Sequence, residues 1–153
     1  IIDASQKVNR ALEAGALAVG AEVEITEIPG YLPRVNNEAM DMLMKDNLAA
    51  LVGEEAVEFS DRHGTGSSDI GDVMHVIPAI HPYIGGVAGA GHSKHYEIVD
   101  EETAYLLGAK GMAMTAIDLL YDGAEVAKDI VESFEPIYDK DSYLEMWEEF
   151  FSK

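Results

Sequence analysis

One stretch of the sequence, from His63 to Glu97, constrains this chain more than any other. It contains all 5 histidines of the chain and half of its 14 glycines. Glycine lets the backbone enter the left-handed region and approach other groups closely, and histidine is a frequent metal ligand and acid–base catalyst. We therefore expect any site that carries chemistry to lie in this stretch, while the remaining sequence predicts ordinary helices and strands.

The charge balance excludes several classes of partner. The 153 residues include 29 Asp and Glu against 10 Lys and Arg, which gives a net charge of −19. Such a charge repels nucleic acid and anionic membranes, so neither is expected as a partner. The absence of cysteine excludes disulfides and thiolate metal sites and fits a cytoplasmic location, which we expect. No apolar run approaches the roughly 20 residues that span a bilayer.

The hydrophobic pattern predicts a mixed fold. Apolar residues recur at helical spacing in several segments, and shorter segments are apolar throughout or alternate with polar residues. The expected class is α/β, in the sense of a mixed α+β arrangement with helices packed on a sheet. The predicted helices cover 4–19, 38–52, 101–120, 123–133 and 141–151, and the predicted strands cover 22–28, 55–59 and 73–80.

Specific residues mark where these helices begin and end. Asn36 or Asn37 is expected to cap the helix over 38–52, and Gly53 to end it. Asp100 is a credible cap for the helix over 101–120. Gly108 and Gly111 lie inside that helix, where each glycine costs about 1 kcal/mol relative to alanine, so we expect close packing against a sheet there.

The polar segment from Gly64 to Asp72 has two interpretations. Its glycines, serines and aspartates are typical of a phosphate cradle, but no Lys-Ser/Thr pair follows, as a P-loop requires. The alternative is a tight loop entering a helix or strand, with Ser68 or Asp69 as its cap. The spacing favours the loop.

The histidines do not define a site by their spacing alone. His75 lies in an apolar run and is expected to be a hydrogen-bonded core residue, and His81 ends that run, where a side chain can face a cleft. His92 follows the glycine-rich segment 85–91, and His95 comes three residues later. No His-x-Asp, His-Glu-x-x-His or Ser-His-Asp pattern accompanies them.

Two longer segments together carry a resemblance to a known family. They are GTGSSDIGDVMHVIPAIHP and GAGHSKHYEIVDEETAYLLGAKGMAMTAIDLL. They resemble the C-terminal part of the dinuclear-metal amidohydrolases and peptidases of the aminoacylase and carboxypeptidase G family, with the aminobenzoyl-glutamate and indole-acetyl-amino-acid hydrolases as the closest branch. Gly66–Asp69 matches a turn of that family, His92 matches its last metal-ligand histidine, and 101–120 matches the helix that follows.

The N-terminal residues extend the resemblance. KVNRALEAGALAVGAEVEITEIPGYLP is similar to the last helix and strand of the family's inserted lid, through which these enzymes usually dimerise. The resemblance therefore implies that residues 1–30 end a lid domain and that residues 31–153 are the C-terminal part of a catalytic domain. It also implies a homo-oligomer.

The resemblance implies a reaction and a partial site. Two divalent metal ions, such as zinc or manganese, would polarise the amide carbonyl of an N-acyl or N-aroyl amino acid or a dipeptide, and a Glu would act as base. His92 would bind one metal, while Ser68, Asp69 and Gly91 would line the cleft or support it. The other ligands and the base precede the lid in the family. We therefore expect no catalytic residue and no tightly bound metal in this chain, which would be an inactive fragment.

A different class of function is a non-catalytic acidic module for binding or oligomerisation. It would use the helix over 4–19 and the strand over 22–28, whose unpaired edge favours association with another chain. Under either interpretation His63, His75, His81 and His95 have no assigned role.

Overall fold

The computed structural model describes residues 2–60, 66 and 68–151. The chain forms two compact units, Ile1–Gly30 and Tyr31–Lys153. The assignment of these units to a lid and to a catalytic domain remains a prediction.

The first unit is built on helix α1, Ile2–Val19. The helix ends where Gly20 adopts a φ of 70°, and the Gly20 and Ala21 N–H groups then bond to carbonyls of the last turns. A glycine in left-handed backbone is a common way for a helix to end. The segment that follows, 21–30, has no regular secondary structure.

The strand predicted over 22–28 is therefore wrong. A strand needs a neighbouring strand to pair with its backbone groups, and the described part of the chain supplies none there. The segment is held to α1 instead by a hydrogen bond from the Ser5 hydroxyl to the Glu27 carboxylate. Without a strand over 22–28 there is no unpaired strand edge through which the chain could associate. The homo-oligomeric state itself stays a prediction.

The second unit contains five further α-helices and one small sheet, counted over the residues that the structure describes. This confirms the mixed α+β class. The helices are α2 Glu38–Val52, α3 Ile70–Met74, α4 Gly108–Leu120, α5 Glu125–Ser133 and α6 Lys140–Phe151, and the strands are β1 Val87–Ala88 and β2 Glu97–Ile98. Short 3-10 turns cover Glu54–Ala56 and Asp122–Ala124, and a π-helical segment, Glu102–Leu107, leads into α4.

Helix α2 begins and ends as its sequence predicts. The Asn37 side-chain oxygen accepts a hydrogen bond from the Met40 N–H at 3.1 Å, which satisfies one of the free donors of the first turn. At the other end Gly53 has a φ of 89°, and its N–H bonds to the Ala49 carbonyl at 2.8 Å.

The buried core lies between α2 and α4. Met44 and Leu48 on α2 are 5% and 7% exposed, and they face Gly111 and Thr115 on α4. A Cβ on Gly111 would lie 2.8 Å from the Leu48 Cδ2 atom, so the close packing predicted at this glycine is confirmed. Its neighbour is a helix, however, and not the sheet that we expected.

The apolar runs over 55–59 and 73–80 do not form strands. The first begins within a 3-10 turn, and the second begins within α3 and continues as turns and irregular chain. Short apolar runs do not distinguish a strand from a buried helical turn, and tertiary contacts decide between them. At α3 the deciding contact is the backbone of Leu32, which passes directly against Gly71.

The helix predicted over 101–120 is continuous but begins with π-helical hydrogen bonding. Asp100 caps it as predicted, because its carboxylate accepts from the Thr103 N–H at 3.1 Å and from the Thr103 hydroxyl at 2.6 Å. These bonds stabilise the ionised form and hold the pKa of Asp100 below its ordinary value of 3.8.

Several large apolar side chains of the described residues are exposed. Leu17 on α1 is 81% exposed, and Ile117 and Leu120 on α4 are 62% and 69% exposed. None of the described helices combines the length and the apolar character that a membrane span requires.

Candidate functional site

His92 lies in the loop of a short β-hairpin. Strands β1 and β2 pair antiparallel, with Val87 opposite Ile98 and Ala88 opposite Glu97. Inside the hairpin a Ser93 N–H to Ala90 carbonyl bond of 3.2 Å and a Tyr96 N–H to Ser93 carbonyl bond of 3.1 Å form two consecutive turns. The loop is therefore an ordered structure that holds residues 89–96 in place.

A glycine is required where this loop begins. Gly89 has a φ of 80°, and a Cβ at this position would overlap the His95 carbonyl oxygen. Only glycine satisfies both the left-handed backbone and the close approach. Gly89 thus lets the backbone pass close to His95 shortly before the chain reaches His92.

His92 itself has an uncommon backbone conformation. Its φ is 60°, in the left-handed region that non-glycine residues seldom occupy. The side chain is exposed, and in the described part of the chain its imidazole has no hydrogen-bond partner. Strained backbone of this kind occurs often at functional sites, and a free exposed imidazole is available to bind a metal or a substrate.

The residues beside His92 add no second donor to it. Gly91 is exposed, and a Cβ there would meet nothing within 4 Å. His95 is exposed as well, and its backbone N–H bonds to the Ser93 hydroxyl at 3.2 Å. The supporting role predicted for Gly91 therefore stays a prediction.

The predicted turn before α3 is described only in part, because Ser67 lies outside the described residues. Ser68 is half-buried and its hydroxyl donates to the Asp69 carboxylate at 3.2 Å, and its carbonyl accepts from the Gly71 N–H at 2.9 Å. Asp69 precedes α3 without making a side-chain cap. The turn enters a helix, as one sequence interpretation allowed, and no described contact joins it to His92.

His75 is the core histidine that its sequence context predicts. It is 5% exposed, and its Nδ1 atom lies 2.7 Å from the Gly71 carbonyl oxygen. Because a carbonyl can only accept, Nδ1 carries the hydrogen. The ring stacks on Tyr138 with 5.9 Å between centroids. His63 lies outside the described residues.

His81 makes a contact that the sequence did not predict. The Arg34 Nη1 atom lies 3.2 Å from the His81 Nδ1 atom, and the Arg34 guanidinium lies 5.1 Å from the centroid of the Tyr83 ring. His81 lies 47 positions after Arg34 in the sequence, so no argument from local spacing could predict this pairing. The only signal was the position of His81 at the end of an apolar run.

The described residues do not complete a metal site. A stable site needs three or four protein donors, and nowhere in 2–60, 66 and 68–151 do three His, Asp or Glu side chains group in a way that holds a metal. His92 offers one donor. The described residues alone therefore do not fit the two-metal centre that the resemblance implies, and no catalytic step is assigned to them.

Comparison with known proteins gives a partial answer. The chain is 32% identical to the Xaa-Arg dipeptidase of Mus musculus over 127 residues, which cover 78% of this chain and 30% of that protein. It is 32% identical to the Xaa-Arg dipeptidase of Homo sapiens over 137 residues, covering 85% of this chain and 31% of that protein. The chain thus matches about a third of the length of these relatives.

No family model matches the chain, and no solved structure matches it either. The similarity to two dipeptidases makes the chain a distant homologue of proteins with peptidase names, which is consistent with the peptidase and amidohydrolase class expected from the sequence. The branch of aminobenzoyl-glutamate and indole-acetyl-amino-acid hydrolases stays a prediction.

Proposed function

We propose that this chain is the C-terminal part of a metal-dependent amidohydrolase that cleaves the amide bond of dipeptides or N-acyl amino acids. The observation that carries the proposal is the presentation of His92. An exposed imidazole that no other described residue contacts by a hydrogen bond stands on an ordered hairpin loop, at a left-handed backbone position that follows Gly91. The similarity to dipeptidases over 127 residues supports the same class of reaction.

In this proposal His92 supplies one ligand, and the remaining ligands and the general base come from polypeptide outside this chain. The hairpin's contribution is to position the imidazole. The Gly89 backbone packs on the His95 carbonyl, and the two turns of the loop fix the backbone on either side of His92. A pre-positioned donor loses less conformational entropy when it binds a metal.

The proposal is tested in a longer protein that includes this chain. Substitution His92→Ala is expected to lower dipeptide hydrolysis by at least about 100-fold and to reduce the bound metal measured by mass spectrometry, because even the partners of metal ligands affect affinity by about 10–100-fold. His95→Ala is the matched control, since His95 is an exposed histidine of the same loop. An unchanged rate in His92→Ala would remove His92 from the site.

The 153-residue chain on its own is expected to show no hydrolysis of the same dipeptides with zinc or manganese added. Among the described residues the exposed imidazole has no second donor nearby, and a single imidazole does not hold a catalytic metal ion firmly. Metal-dependent hydrolysis by the purified chain, abolished by His92→Ala, would contradict the proposed fragment character and require donors that we have not identified.

The exposed apolar side chains of α4, Ile117 and Leu120, favour a second possibility, an acidic module that associates with another polypeptide. Covering such side chains with a partner removes apolar area from water. The two possibilities differ in the longer protein. The hydrolase requires His92 for activity, whereas a purely associating module leaves dipeptide hydrolysis absent with or without that residue.

A further inference from the structure

Helix α6 carries a row of aromatic side chains along one face. Tyr143, Trp147 and Phe151 recur at intervals of four residues, and Phe150 lies beside them. The centroid of the Trp147 ring lies 6.4 Å from that of Tyr143, 6.0 Å from that of Phe150 and 6.2 Å from that of Phe151. Within the part of the chain that the structure describes, all ring contacts of Trp147 are thus with rings of α6 itself.

The first turn of α6 is fixed to the region of α3. The Tyr143 hydroxyl donates to the Asp72 carboxylate on α3 at 3.1 Å. Just before the helix, the Tyr138 N–H donates to the His75 carbonyl at 3.1 Å, and the two rings of these residues stack. The helix therefore begins at a defined position, and its aromatic row keeps a defined direction.

The same helix has an open edge on which apolar and acidic side chains alternate. Asp141, Leu144, Glu148 and Phe151 follow one another at helical spacing of three, four and three residues, so they lie on one side of α6. All four are exposed, Leu144 by 47% and Phe151 by 69%. No basic side chain of the described residues pairs with Asp141 or Glu148. We call these four residues the α6 edge.

Charge decides which kind of partner fits the α6 edge. The helix contains four acidic residues against one lysine, and the whole chain has a net charge of −19. A second copy of the chain would bring the same negative charge to the edge and be repelled. A basic polypeptide is attracted instead. Lys and Arg can lay their aliphatic stems on apolar side chains while their charged ends reach carboxylates, and Arg also stacks on Trp.

We propose that the α6 edge binds a basic amphipathic helix of another polypeptide. Leucine-like side chains of the partner would cover Leu144, Phe151 and the uncovered part of Trp147, and its Lys or Arg side chains would face Asp141 and Glu148. Apolar anchors one turn apart are the usual way in which a helix docks on such a face. The inference gives a partner class to the associating module considered above, at a different helix. It uses no residue of the proposed hydrolase site.

The test uses the fluorescence of Trp147, the one tryptophan of the chain. The 153-residue chain is titrated at low salt with a peptide of Leu and Arg in which leucine recurs at every third and fourth position. We expect a saturable shift of the emission to shorter wavelength, because the partner removes Trp147 from water. A peptide of the same composition with its leucines scattered around the helix should bind at least about tenfold more weakly, since it cannot bury them together.

Two substitutions separate local contacts from general properties of the chain. Phe151→Ser should raise the Kd of the amphipathic peptide at least about tenfold, whereas Val131→Ser on α5, which also removes an exposed apolar side chain, should leave it unchanged. Glu148→Lys should raise Kd roughly threefold or more at low salt and less at high salt. Glu132→Lys on α5 changes the net charge equally and is its matched control.

Several outcomes would overturn the inference. These are no saturable shift, equal binding of the scattered peptide, equal Kd values in Phe151→Ser and Val131→Ser, or equally tight binding of an amphipathic peptide of Leu and Glu. A shift that appears when the chain alone is concentrated would assign the edge to a second copy instead. If Phe151→Ser does not fold by circular dichroism, Leu144→Ser decides in its place, because Leu144 is also exposed.

Discussion

The packed region around α2, α3 and α4 and the hairpin loop around His92 differ in how their residues are held. In the packed region Met44, Leu48 and Met74 are at most 7% exposed, and polar groups are paired. In the hairpin most side chains are exposed, and order comes from backbone turns and from Gly89. Substitutions should therefore change stability in the first region and ligand binding in the second.

The largest effect is expected at Gly71, in the packed region. A Cβ there would overlap the Leu32 carbonyl oxygen, a backbone atom that cannot rotate away. We expect Gly71→Ala to lower the free energy of unfolding by at least about 3 kcal/mol, at the upper end for overpacking. Gly91→Ala in the hairpin, where a Cβ meets nothing within 4 Å, should change it by less than about 0.5 kcal/mol. Urea denaturation measures both variants, and an equal loss of unfolding free energy in Gly71→Ala and Gly91→Ala would contradict the difference between the two regions.

A smaller effect is expected at the buried polar group of the packed region. Asn47 is 9% exposed, and its side-chain amide donates to the Asp118 carboxylate at 2.8 Å and to the Thr115 hydroxyl at 3.3 Å. Asn47→Ala leaves these acceptors without their donor and should cost about 1–3 kcal/mol.

The matched control is Asn36→Ala, since Asn36 bonds to the Asp41 carboxylate in an exposed position at 2.9 Å and 3.0 Å. Its loss should cost a few tenths of a kcal/mol at most, because water replaces the amide. Thermal unfolding of both variants measures the difference, and a cost at Asn36 that matches the cost at Asn47 would show that burial is not what separates them.

In the hairpin, a substitution to glycine at His92 should raise the free energy of unfolding instead of lowering it. His92 occupies left-handed backbone at φ 60°, so His92→Gly removes strain and should raise the free energy of unfolding by up to about 1 kcal/mol. His95→Gly, where φ is negative or extended, should lower it by roughly 0.5 kcal/mol through the added freedom of the unfolded chain. If both variants lose stability, the left-handed backbone at His92 does not destabilise the fold, and the prediction is wrong.

The smallest effect is a pH dependence at the junction between the hairpin and the helix that follows. The hydroxyl and N–H of Thr103 bond to the Asp100 carboxylate and hold its pKa below 3.8. A lowered pKa in the folded state stabilises the fold above pH 3.8, and this stabilisation is lost as pH falls through the folded-state pKa.

The measurement is the urea midpoint between pH 5 and pH 2, compared between the unmodified chain and Asp100→Asn. The amide still accepts a hydrogen bond but does not titrate, so the variant should lose less stability over this range. If the urea midpoints of the two proteins fall equally with pH, protonation of Asp100 does not contribute to the loss of stability.

The helices could be predicted from the sequence because their signals are local. The apolar spacing of α1 and α2, the cap at Asn37 and the stop at Gly53 all act within a few residues. The strands could not be predicted, because pairing depends on what lies beside a segment. Residues 22–28 alternate correctly but have no partner strand among the described residues. The observed pair, β1 and β2, is too short to leave a periodic pattern.

The candidate sites divide in the same way. His92 could be identified as a candidate from the sequence because the glycines beside it are a local signal, but its left-handed backbone conformation could not be predicted. The contact between Arg34 and His81 could not be predicted either, because it depends on two distant segments that are brought together by the contacts at Gly71 and Ala79.

The exposed apolar side chains of α4 have a consequence for the heat capacity of unfolding. The heat-capacity change and the denaturant dependence both scale with the area exposed on unfolding. Ile117 and Leu120 are already 62% and 69% exposed in the folded chain, so they add little to either quantity. A binding partner that covers these side chains should therefore raise the heat-capacity change of unfolding.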